Sequence, residues 1–290
     1  MTEPLPDVMV ERRQLHALCY RMLGTVADAE DAVQETYLRW YRLTDAERAQ
    51  IDNPGAWLTR VAGRICLDIL GSARARRERY VGEWLPEPVP TGAFTAGDPL
   101  DSVSLDDAVS TALLVVLEAM TPAERVAFVL HDVFAMPFAE IASVVGRSPA
   151  AVRQLATSAR RRVEADRRAS VSRQQHDQVA RAFGAAAAGG DLAALMALLD
   201  PDVVLRSDGG GIVSAARNPV TGTSNVARFI LGLITKNPSM AVEECTSADG
   251  LGFVTTQDGA VTGVVTLGVR DGAISDVWIV VNPEKLGMWT

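Results

Sequence analysis

The middle of the chain contains the stretch Pro137-Phe-Ala-Glu-Ile-Ala-Ser-Val-Val-Gly-Arg-Ser-Pro-Ala-Ala-Val-Arg-Gln-Leu-Ala-Thr-Ser-Ala-Arg-Arg161, which decides the fold class of this region. Pro137 opens a short helix that Gly146 ends, and Ser148, followed by Pro149, begins another. The outer face of the second helix is polar and basic, with Arg153, Gln154, Thr157, Arg160 and Arg161. Two helices joined by a short glycine-containing turn predict a helix-turn-helix, and a plain helical hairpin in a bundle is the alternative.

The segment before this motif, residues 10–80, has helical spacing throughout. We expect Gly24 to end one helix and Asp28 to cap the next. Asn53-Pro54 starts a further helix. Later in the chain, Thr121-Pro-Ala-Glu124 has a hydroxyl, a proline and a glutamate at the spacing of a capping box. These signals predict two helical segments on either side of a break.

The composition changes in residues 81–103, where prolines and glycines alternate and predict an extended linker. Beyond residue 172 an alanine-rich helical pair precedes strand-like runs, with Asp258-Gly259 and Asp271-Gly272 as hairpin turns. Helices followed by a meandering antiparallel sheet are an α+β plan. We therefore predict a helical domain in 1–80, the linker in 81–103, a helix-turn-helix domain in 104–168, with helices resuming near Ser104, and an α+β domain in 172–290.

Charge is distributed unevenly along the chain. The net charge of −8 argues against a general nucleic-acid coat protein. Arginines nevertheless cluster in two segments, 60–79 and 147–168. The two clusters predict two local phosphate contacts, and solvated helix faces are the alternative.

The cysteines and the apolar segments indicate the cellular compartment and whether a metal site is expected. Cys19, Cys66 and Cys245 are scattered and have no metal-ligand spacing, so we expect buried reduced thiols and neither a disulfide nor a metal site. The polar start of the chain is not a signal sequence, and no apolar segment is long enough to span a membrane. We expect a soluble cytoplasmic protein without a cofactor and without a membrane partner.

The order of these features resembles the two-domain core of extracytoplasmic-function sigma factors across residues 8–168. The resemblance rests on two unrelated motifs ahead of the linker and the helix-turn-helix, Asp28-Ala-Glu-Asp-Ala-Val-Gln-Glu-Thr-Tyr37 and Trp57-Leu-Thr-Arg-Val-Ala-Gly-Arg-Ile-Cys-Leu-Asp68. The remaining third resembles SnoaL-like domains, which have the nuclear-transport-factor-2-like cone. One sigma group joins these parts and carries motifs similar to Trp84-Leu-Pro-Glu-Pro88, Asp208-Gly-Gly-Gly211 and Asn282-Pro-Glu-Lys-Leu286, where Glu284 replaces the more usual Asp. The implied fold is two all-α sigma domains, the second with a helix-turn-helix, followed by an α+β SnoaL-like cone.

The resemblance implies a promoter-specificity subunit whose partners are core RNA polymerase, through its β′ clamp helices and β flap, and promoter DNA. Within residues 28–42, the polymerase-binding positions would be Asp31, Gln34, Glu35 and Arg39. The minus-10 element would be engaged by Trp57, Arg60, Arg64, Arg74, Arg76 and Arg77, since arginines suit phosphates and unstacked bases need flat surfaces. The minus-35 element would be contacted by Ser148, Arg153, Gln154, Thr157, Arg160 and Arg161. Arg153 and Gln154 suit base edges, and Arg160 and Arg161 suit phosphates.

For the C-terminal domain the resemblance implies regulation in cis, since members of this group usually lack a dedicated membrane anti-sigma protein. We expect the domain to pack against the sigma core. The residues expected at or near this contact are Trp84, Leu85, Pro86, Asp208, Gly209, Gly210, Asn282, Pro283, Glu284, Lys285 and Leu286. SnoaL-like domains include enzymes, but no Ser/His/Asp or Cys/His arrangement is legible here, so we predict no catalysis. A small ligand in this domain is a further candidate partner.

Two alternatives stay open at this point. One is a ligand-sensing helix-turn-helix regulator that does not bind core polymerase, for which the region 28–79 would have no purpose. The other is a SnoaL-type enzyme fused to a DNA-binding module, which needs a catalytic constellation.

Overall fold

The structure is a computed structural model that describes residues 8–77, 80–91, 110–167 and 171–289. These residues form two compact units. The first contains 8–77 and 116–164, and the second contains 80–91, 110–115 and the described residues from 165 onward. None of the helices in this part of the chain is both long and apolar enough to cross a lipid bilayer.

The first unit is helical. Its elements are α1 (Val8–Leu23), α2 (Val26–Arg42), α3 (Asp45–Arg48), α4 (Pro54–Arg77), the end of α5 (Thr111–Glu118), α6 (Pro122–Phe128), a π-helical turn (Val129–Val133), α7 (Phe138–Val145) and α8 (Pro149–Arg167). Helices α1, α2 and α4 pack together, and α6 and α7 pack on α4. The core of this unit includes Leu18, Val33, Leu58, Leu130 and Ile141, all of which are almost fully buried.

Local capping signals explain where these helices begin and end. Gly24 has a φ of 79° and ends α1, as predicted. Thr121 and Glu124 form the predicted capping box at α6. The prediction for Asp28 is wrong, because α2 begins three residues earlier. Thr25 is its cap, with extended backbone and a hydroxyl that accepts from the Asp28 amide at 3.3 Å. Asp28 lies instead inside the first turn, where its carboxylate accepts from the Thr25 hydroxyl and suits the positive helix end.

The predicted helix-turn-helix is present in α7 and α8. Gly146 ends α7 with a left-handed φ of 70°, a conformation that favours glycine. Ser148 precedes α8, and its hydroxyl accepts from the Ala151 amide at 3.3 Å. Val152 and Ala156 are fully buried, as the helical spacing predicted.

The second unit combines helices with one mixed sheet. Its elements are α9 (Arg173–Ala188), α10 (Leu192–Leu198), β1 (Leu199–Asp208), β2 (Val220–Thr221), α11 (Thr223–Lys236), β3 (Ala241–Ser247), β4 (Gly250–Gln257), β5 (Ala260–Arg270), β6 (Ala273–Val280), and 3-10 turns at Pro283–Lys285 and Gly287–Trp289. The strand order is β2-β1-β6-β5-β4-β3. This is the α+β plan predicted for the C-terminal part.

The prediction of an antiparallel meander is correct for β3 to β6 and wrong for β1. Hairpin turns at Asp258-Gly259 and Asp271-Gly272 force β4, β5 and β6 to alternate in direction. Strand β1, by contrast, pairs parallel with β6, with Leu205 opposite Val277. No hairpin joins β1 to β6, so tertiary packing sets this direction and the local pattern does not reveal it.

The two faces of the sheet bury different partners. On one face, the helices α9, α10 and α11 contribute to a core that includes Phe183, Leu195, Leu205 and Ile230. A second cluster contains Val264, Trp278 and Val280 of the sheet, together with Leu286 and the linker residue Leu85. The linker is therefore part of this domain's packing.

Residues 80–91, the part of the predicted linker that the structure describes, contain no helix, and Val81 and Gly82 form a bend. Pro90 forms an isolated bridge to Ser247, and the Thr91 amide donates to the Thr246 carbonyl at 3.0 Å. The rest of the predicted linker, and the helix start predicted near Ser104, lie outside the described residues. The first helix described after the linker is α5, which begins at Thr111.

The cysteines are free thiols, as predicted. Cys19 and Cys66 are fully buried, and burial raises the pKa of the Cys66 thiol well above its ordinary value. The burial prediction is only partly right for Cys245, which lies in the edge strand β3 and is half-buried; burial raises the pKa of its thiol to about 11.

Candidate nucleic-acid interface and linker site

Helix α2 places all four residues predicted to bind polymerase on its outer side. Asp31, Gln34 and Arg39 are exposed and Glu35 is partly exposed. The Arg39 guanidinium donates to the Glu35 carboxylate at 2.9 Å, one helical turn away. The structure therefore keeps these polar groups available on one surface of the helix.

The same helix exposes two large apolar side chains that the sequence prediction omitted. Leu38 is 51% exposed and Tyr41 is 58% exposed, and the Tyr41 ring stacks on Tyr37 with centroids 6.4 Å apart. Leu38 lies four residues after Gln34 and Tyr41 lies three after Leu38, so both share the outer face of α2 with the polar residues. Side chains of this size are not normally left in water without a partner when they cluster.

Helix α4 places the residues predicted for the minus-10 element in different environments. Trp57 is half-buried, and its ring meets Trp40 edge-on with centroids 5.2 Å apart. Arg60 is partly buried and Arg64 is exposed. Arg74, Arg76 and Arg77 belong to the last turns of α4, but their side chains lie outside the described part of the structure.

Arg64 already has partners in the first unit. Its guanidinium donates to the Val144 carbonyl of α7 at 2.9 Å and lies 3.6 Å from the Asp68 carboxylate. Gly63 makes this close approach of α4 and α7 feasible, because a Cβ there would lie 3.1 Å from Leu130 and 3.5 Å from Val144. Contacts with α7 and with a DNA phosphate would therefore compete for the same guanidinium.

Helix α8 carries the residues predicted for the minus-35 element. Arg153, Gln154 and Arg161 are exposed. Ser148 caps the helix, and the Thr157 hydroxyl donates to the Arg153 carbonyl at 2.8 Å. Arg160 forms an ion pair with Asp132 of the π-helical turn. The side chains most available for base edges are thus Arg153 and Gln154.

The second unit contains a buried polar cluster that joins the linker to the α+β domain. We call Tyr80, Leu85, Asp208, Asn282 and Lys285 the linker site. Asp208 is fully buried at the end of β1 and accepts four hydrogen bonds. They come from the Tyr80 hydroxyl at 2.6 Å, the Leu85 amide at 2.9 Å, the Gly210 amide at 2.9 Å and the Lys285 ammonium at 2.7 Å.

Lys285 provides the balancing charge at the linker site. Its side chain is 6% exposed, and its ammonium donates to both Asp208 and the Leu85 carbonyl, the latter at 2.5 Å. The ammonium also lies 4.1 Å from the Trp84 ring centroid and 5.5 Å from that of Tyr80. A buried charge is tolerated when it is paired and fully hydrogen-bonded, as here. Burial, reinforced by the adjacent Asp208, raises the pKa of the Tyr80 phenol.

The glycines of the Asp208-Gly-Gly-Gly211 motif have steric reasons to be glycine. A Cβ on Gly209 would lie 2.2 Å from the Val213 carbonyl oxygen. Gly210 has a φ of 66°, and a Cβ there would overlap the Asn282 side chain at 2.6 Å. The Asn282 amide in turn donates to the Tyr80 hydroxyl at 3.1 Å. The motif therefore fits its turn tightly against the chain tail.

The structure brings most of the predicted regulatory residues together and separates two of them. Leu85, Pro86 and Leu286 are buried, whereas Pro283 and Glu284 are exposed on the tail. Two contributors were missed. Tyr80 donates to Asp208, and the Trp289 indole donates to the Pro88 carbonyl at 2.8 Å. Tyr80 lies four residues before Trp84 and Trp289 three residues after Leu286, and this nearness to the two motifs is the only local signal that they carry.

Two family models match the helical part of the chain. The model of Sigma-70 region 2 matches residues 8–77, and that of Sigma-70 region 4 matches residues 110–163. The chain is 43% identical to the ECF RNA polymerase sigma factor SigJ of Mycobacterium tuberculosis (strain ATCC 25618 / H37Rv), over 94% of this chain and 90% of that protein.

The chain belongs to the extracytoplasmic-function RNA polymerase sigma factors.

Further relatives agree with this assignment. The probable ECF RNA polymerase sigma factor SigI of Mycobacterium tuberculosis (strain CDC 1551 / Oshkosh) is 38% identical over 95% of this chain and 92% of its own length. The crystal structure of Mycobacterium tuberculosis SigJ aligns with a TM-score of 0.78 and 38% identity, covering 98% of this chain and 99% of that one. In this sigma factor, α1 to α4 form region 2, and the helices from α5 to α8 form region 4. The predicted fold, two helical sigma regions followed by an α+β domain, is confirmed.

Proposed function

We propose that this sigma factor binds core RNA polymerase and directs promoter-specific initiation, with the α+β domain regulating it in cis through the linker. The observation that carries the proposal is the exposed face of α2, which combines Leu38 and Tyr41 with Asp31, Gln34 and Arg39. A helix-turn-helix regulator that acts without polymerase has no need for such a face in a second helical region. Apolar anchors within a charged rim are typical of a protein–protein interface.

Region 2 and region 4 each contribute an arginine-bearing helix for DNA. In α4 the proposed minus-10 residues include Arg60 and Arg64, and in α8 the proposed minus-35 residues include Arg153 and Gln154. Arg and Gln can make paired hydrogen bonds with guanine and adenine edges respectively. Arg161 is the proposed phosphate contact, and its exposure on α8 supports this role. Ser148 caps α8, and the Thr157 hydroxyl donates to the Arg153 carbonyl one turn earlier.

The test of polymerase binding compares the double variant Leu38→Ala/Tyr41→Ala with the wild-type chain in binding to core RNA polymerase. We expect the dissociation constant to rise at least about tenfold, because buried interface anchors contribute about 1–2 kcal/mol or more each. Promoter-specific run-off transcription should fall in parallel at limiting sigma factor.

The matched control is Asp52→Ala, which changes an exposed residue of region 2 away from α2. It should bind core polymerase like the wild-type chain. If the wild-type chain does not associate with core polymerase at low salt, the proposed function is wrong. If it associates and the double variant does so equally well, the assignment of the α2 face is wrong.

The cis-regulatory part of the proposal depends on the linker site. The linker joins region 2 to region 4 in the chain, and Asp208 and Lys285 hold its Leu85 by both the amide and the carbonyl. Holding the linker in this way limits how far it can extend between the two DNA-binding regions. Because the interaction is intramolecular, a modest docking free energy is enough to keep it populated.

This mode of regulation requires neither catalysis nor a cofactor in the α+β domain. A small ligand that binds the domain and shifts linker docking stays a prediction. Its signature would be a change in linker protection from amide exchange when the ligand is added.

A further inference from the structure

Phe138, the first residue of α7, is a large apolar residue that the core covers only in part. It lies on the apolar stripe of α7, yet it is only half-buried, whereas Ile141 and Val144 of the same helix are buried. Two side chains from other elements contact its ring.

The first contact comes from the π-helical turn. The His131 ring stacks on Phe138 with centroids 3.8 Å apart and planes inclined by 28°. The orientation of His131 is set by a 2.9 Å hydrogen bond between its Nδ1 and the Met136 carbonyl. Since a carbonyl only accepts, Nδ1 carries the proton in this bond. The imidazole thus supports one face of the Phe138 ring.

The second contact comes from α8. The Arg153 guanidinium carbon lies 5.1 Å from the Phe138 ring centroid, within the range of a cation–π interaction. Arg153 is otherwise exposed, and a long exposed side chain loses much rotamer entropy when it is fixed on a base edge. A planar guanidinium resting on an aromatic face has already lost part of that freedom.

We propose that Phe138 is a positioning residue for Arg153 and a determinant of minus-35 specificity. The inference rests on the proposed function, in which Arg153 contacts a base edge. Contact with the Phe138 ring limits the freedom of the Arg153 fork, so less ordering is required when the fork makes two parallel hydrogen bonds with a base edge. Arg160 cannot take the place of Arg153 at the base edge, because the Arg160 guanidinium is paired with Asp132.

The test uses holoenzyme made from core polymerase and the full chain, and a promoter library in which the minus-35 box is randomised. Transcript sequencing gives the ratio of initiation from preferred boxes to that from their single-base variants. We expect Phe138→Leu to lower this ratio about two- to fivefold, the loss of one exposed cation–π contact. Phe138→Tyr keeps the aromatic face and should retain the wild-type ratio.

A double-mutant cycle separates positioning from other roles. Arg153→Ala should lower the ratio at least as much as Phe138→Leu, and Arg153→Lys should not restore it, since Lys lacks the planar fork. In the Arg153→Ala background, Phe138→Leu should have no further effect on the ratio. Total DNA affinity at a scrambled box should be the same for Phe138→Leu and Phe138→Tyr, and both are compared at a temperature well below the thermal unfolding of either variant.

The outcomes distinguish this inference from the proposed function. If Arg153→Ala leaves minus-35 discrimination unchanged, the role of Arg153 and the inference both fall. If Arg153→Ala lowers discrimination and Phe138→Leu does not, only the inference is overturned. It is also overturned if Phe138→Leu lowers the ratio equally with and without Arg153, because Phe138 would then contact DNA itself or act through stability.

Discussion

Asp208 shows what one fully buried carboxylate demands of its surroundings. Removing an ion from water costs several kcal/mol, and the structure offsets this with Lys285, a hydroxyl and two amides. These donors come from the linker, the turn after β1 and the chain tail. A single side chain therefore connects three segments that are distant in sequence.

At this scale we predict that Asp208→Ala destabilises the α+β domain by about 3–5 kcal/mol, since it leaves the Lys285 ammonium buried without its counter-charge. Chemical denaturation followed by tryptophan fluorescence measures this. Asp208→Ala combined with Lys285→Met should recover part of the loss, because no unpaired charge remains in the site. A single variant as stable as the wild-type chain would contradict the assignment.

At the scale of elements, a glycine where α9 meets the sheet allows the helix to pack closely on it. On α9, a Cβ at Gly184 would lie 2.7 Å from the ring of Phe253 in β4. On α11, a Cβ at Gly232 would meet nothing within 4 Å. Both glycines lie in helices of the same domain, so substitutions at Gly184 and Gly232 can be compared directly.

We therefore predict opposite effects for two Gly→Ala substitutions. Gly184→Ala should destabilise the domain by about 1–3 kcal/mol, since α9 or Phe253 must move. Gly232→Ala should be neutral or stabilise by about 0.5–1 kcal/mol, because alanine restricts the unfolded chain and favours helix. Differential scanning calorimetry of the full chain compares them. A stabilising Gly184→Ala would show that the contact is easily relieved.

Elements whose signals lie within a few residues were predictable, and pairings over long distances were not. The capping box at Thr121 and the turn at Gly146 depend on neighbours three or four residues away. The parallel pairing of β1 with β6 depends on the whole domain. Likewise, Arg160 was expected on phosphates from its helical face alone, whereas its partner Asp132 lies 28 residues earlier.

The candidate sites, too, were predictable where their signals are local and not where they depend on contacts between distant residues. The motifs containing Asp208 and Lys285 were identified only by resemblance, because nothing local relates residues 77 apart. Tyr80, which completes the linker site, was missed because it lies outside the motif Trp84–Pro88. Leu38 and Tyr41 were missed because sequence spacing does not distinguish an exposed apolar residue from a core one.

At the scale of the whole molecule, the proposed regulation predicts that loosening the linker increases transcription. Tyr80→Phe/Trp289→Phe leaves an aromatic ring at each position, a smaller one at 289, and removes the hydrogen bonds to Asp208 and to the Pro88 carbonyl. Each of these two hydrogen bonds contributes a net of about 0.5–1.5 kcal/mol to the free energy of linker docking on the α+β domain. We expect at least about a threefold rise in promoter-specific run-off product at equal core binding.

Met288→Ala is the control for this variant, because it alters an exposed residue adjacent to Trp289. It should leave run-off transcription at the wild-type level. A chain truncated after Arg168 is a second comparison. If both the truncated chain and the double variant transcribe like the wild-type chain, regulation through the linker is wrong.

The position of Leu85 in the cluster with Val264, Trp278, Val280 and Leu286 has a consequence for solubility. Once the linker leaves, the apolar side chains that it covered face water, and surfaces of that kind promote self-association. A molecule with its linker released would thus self-associate more readily than one with its linker docked. Time spent with the linker released would carry a risk of aggregation, unless the assembled transcription machinery shields the uncovered strands.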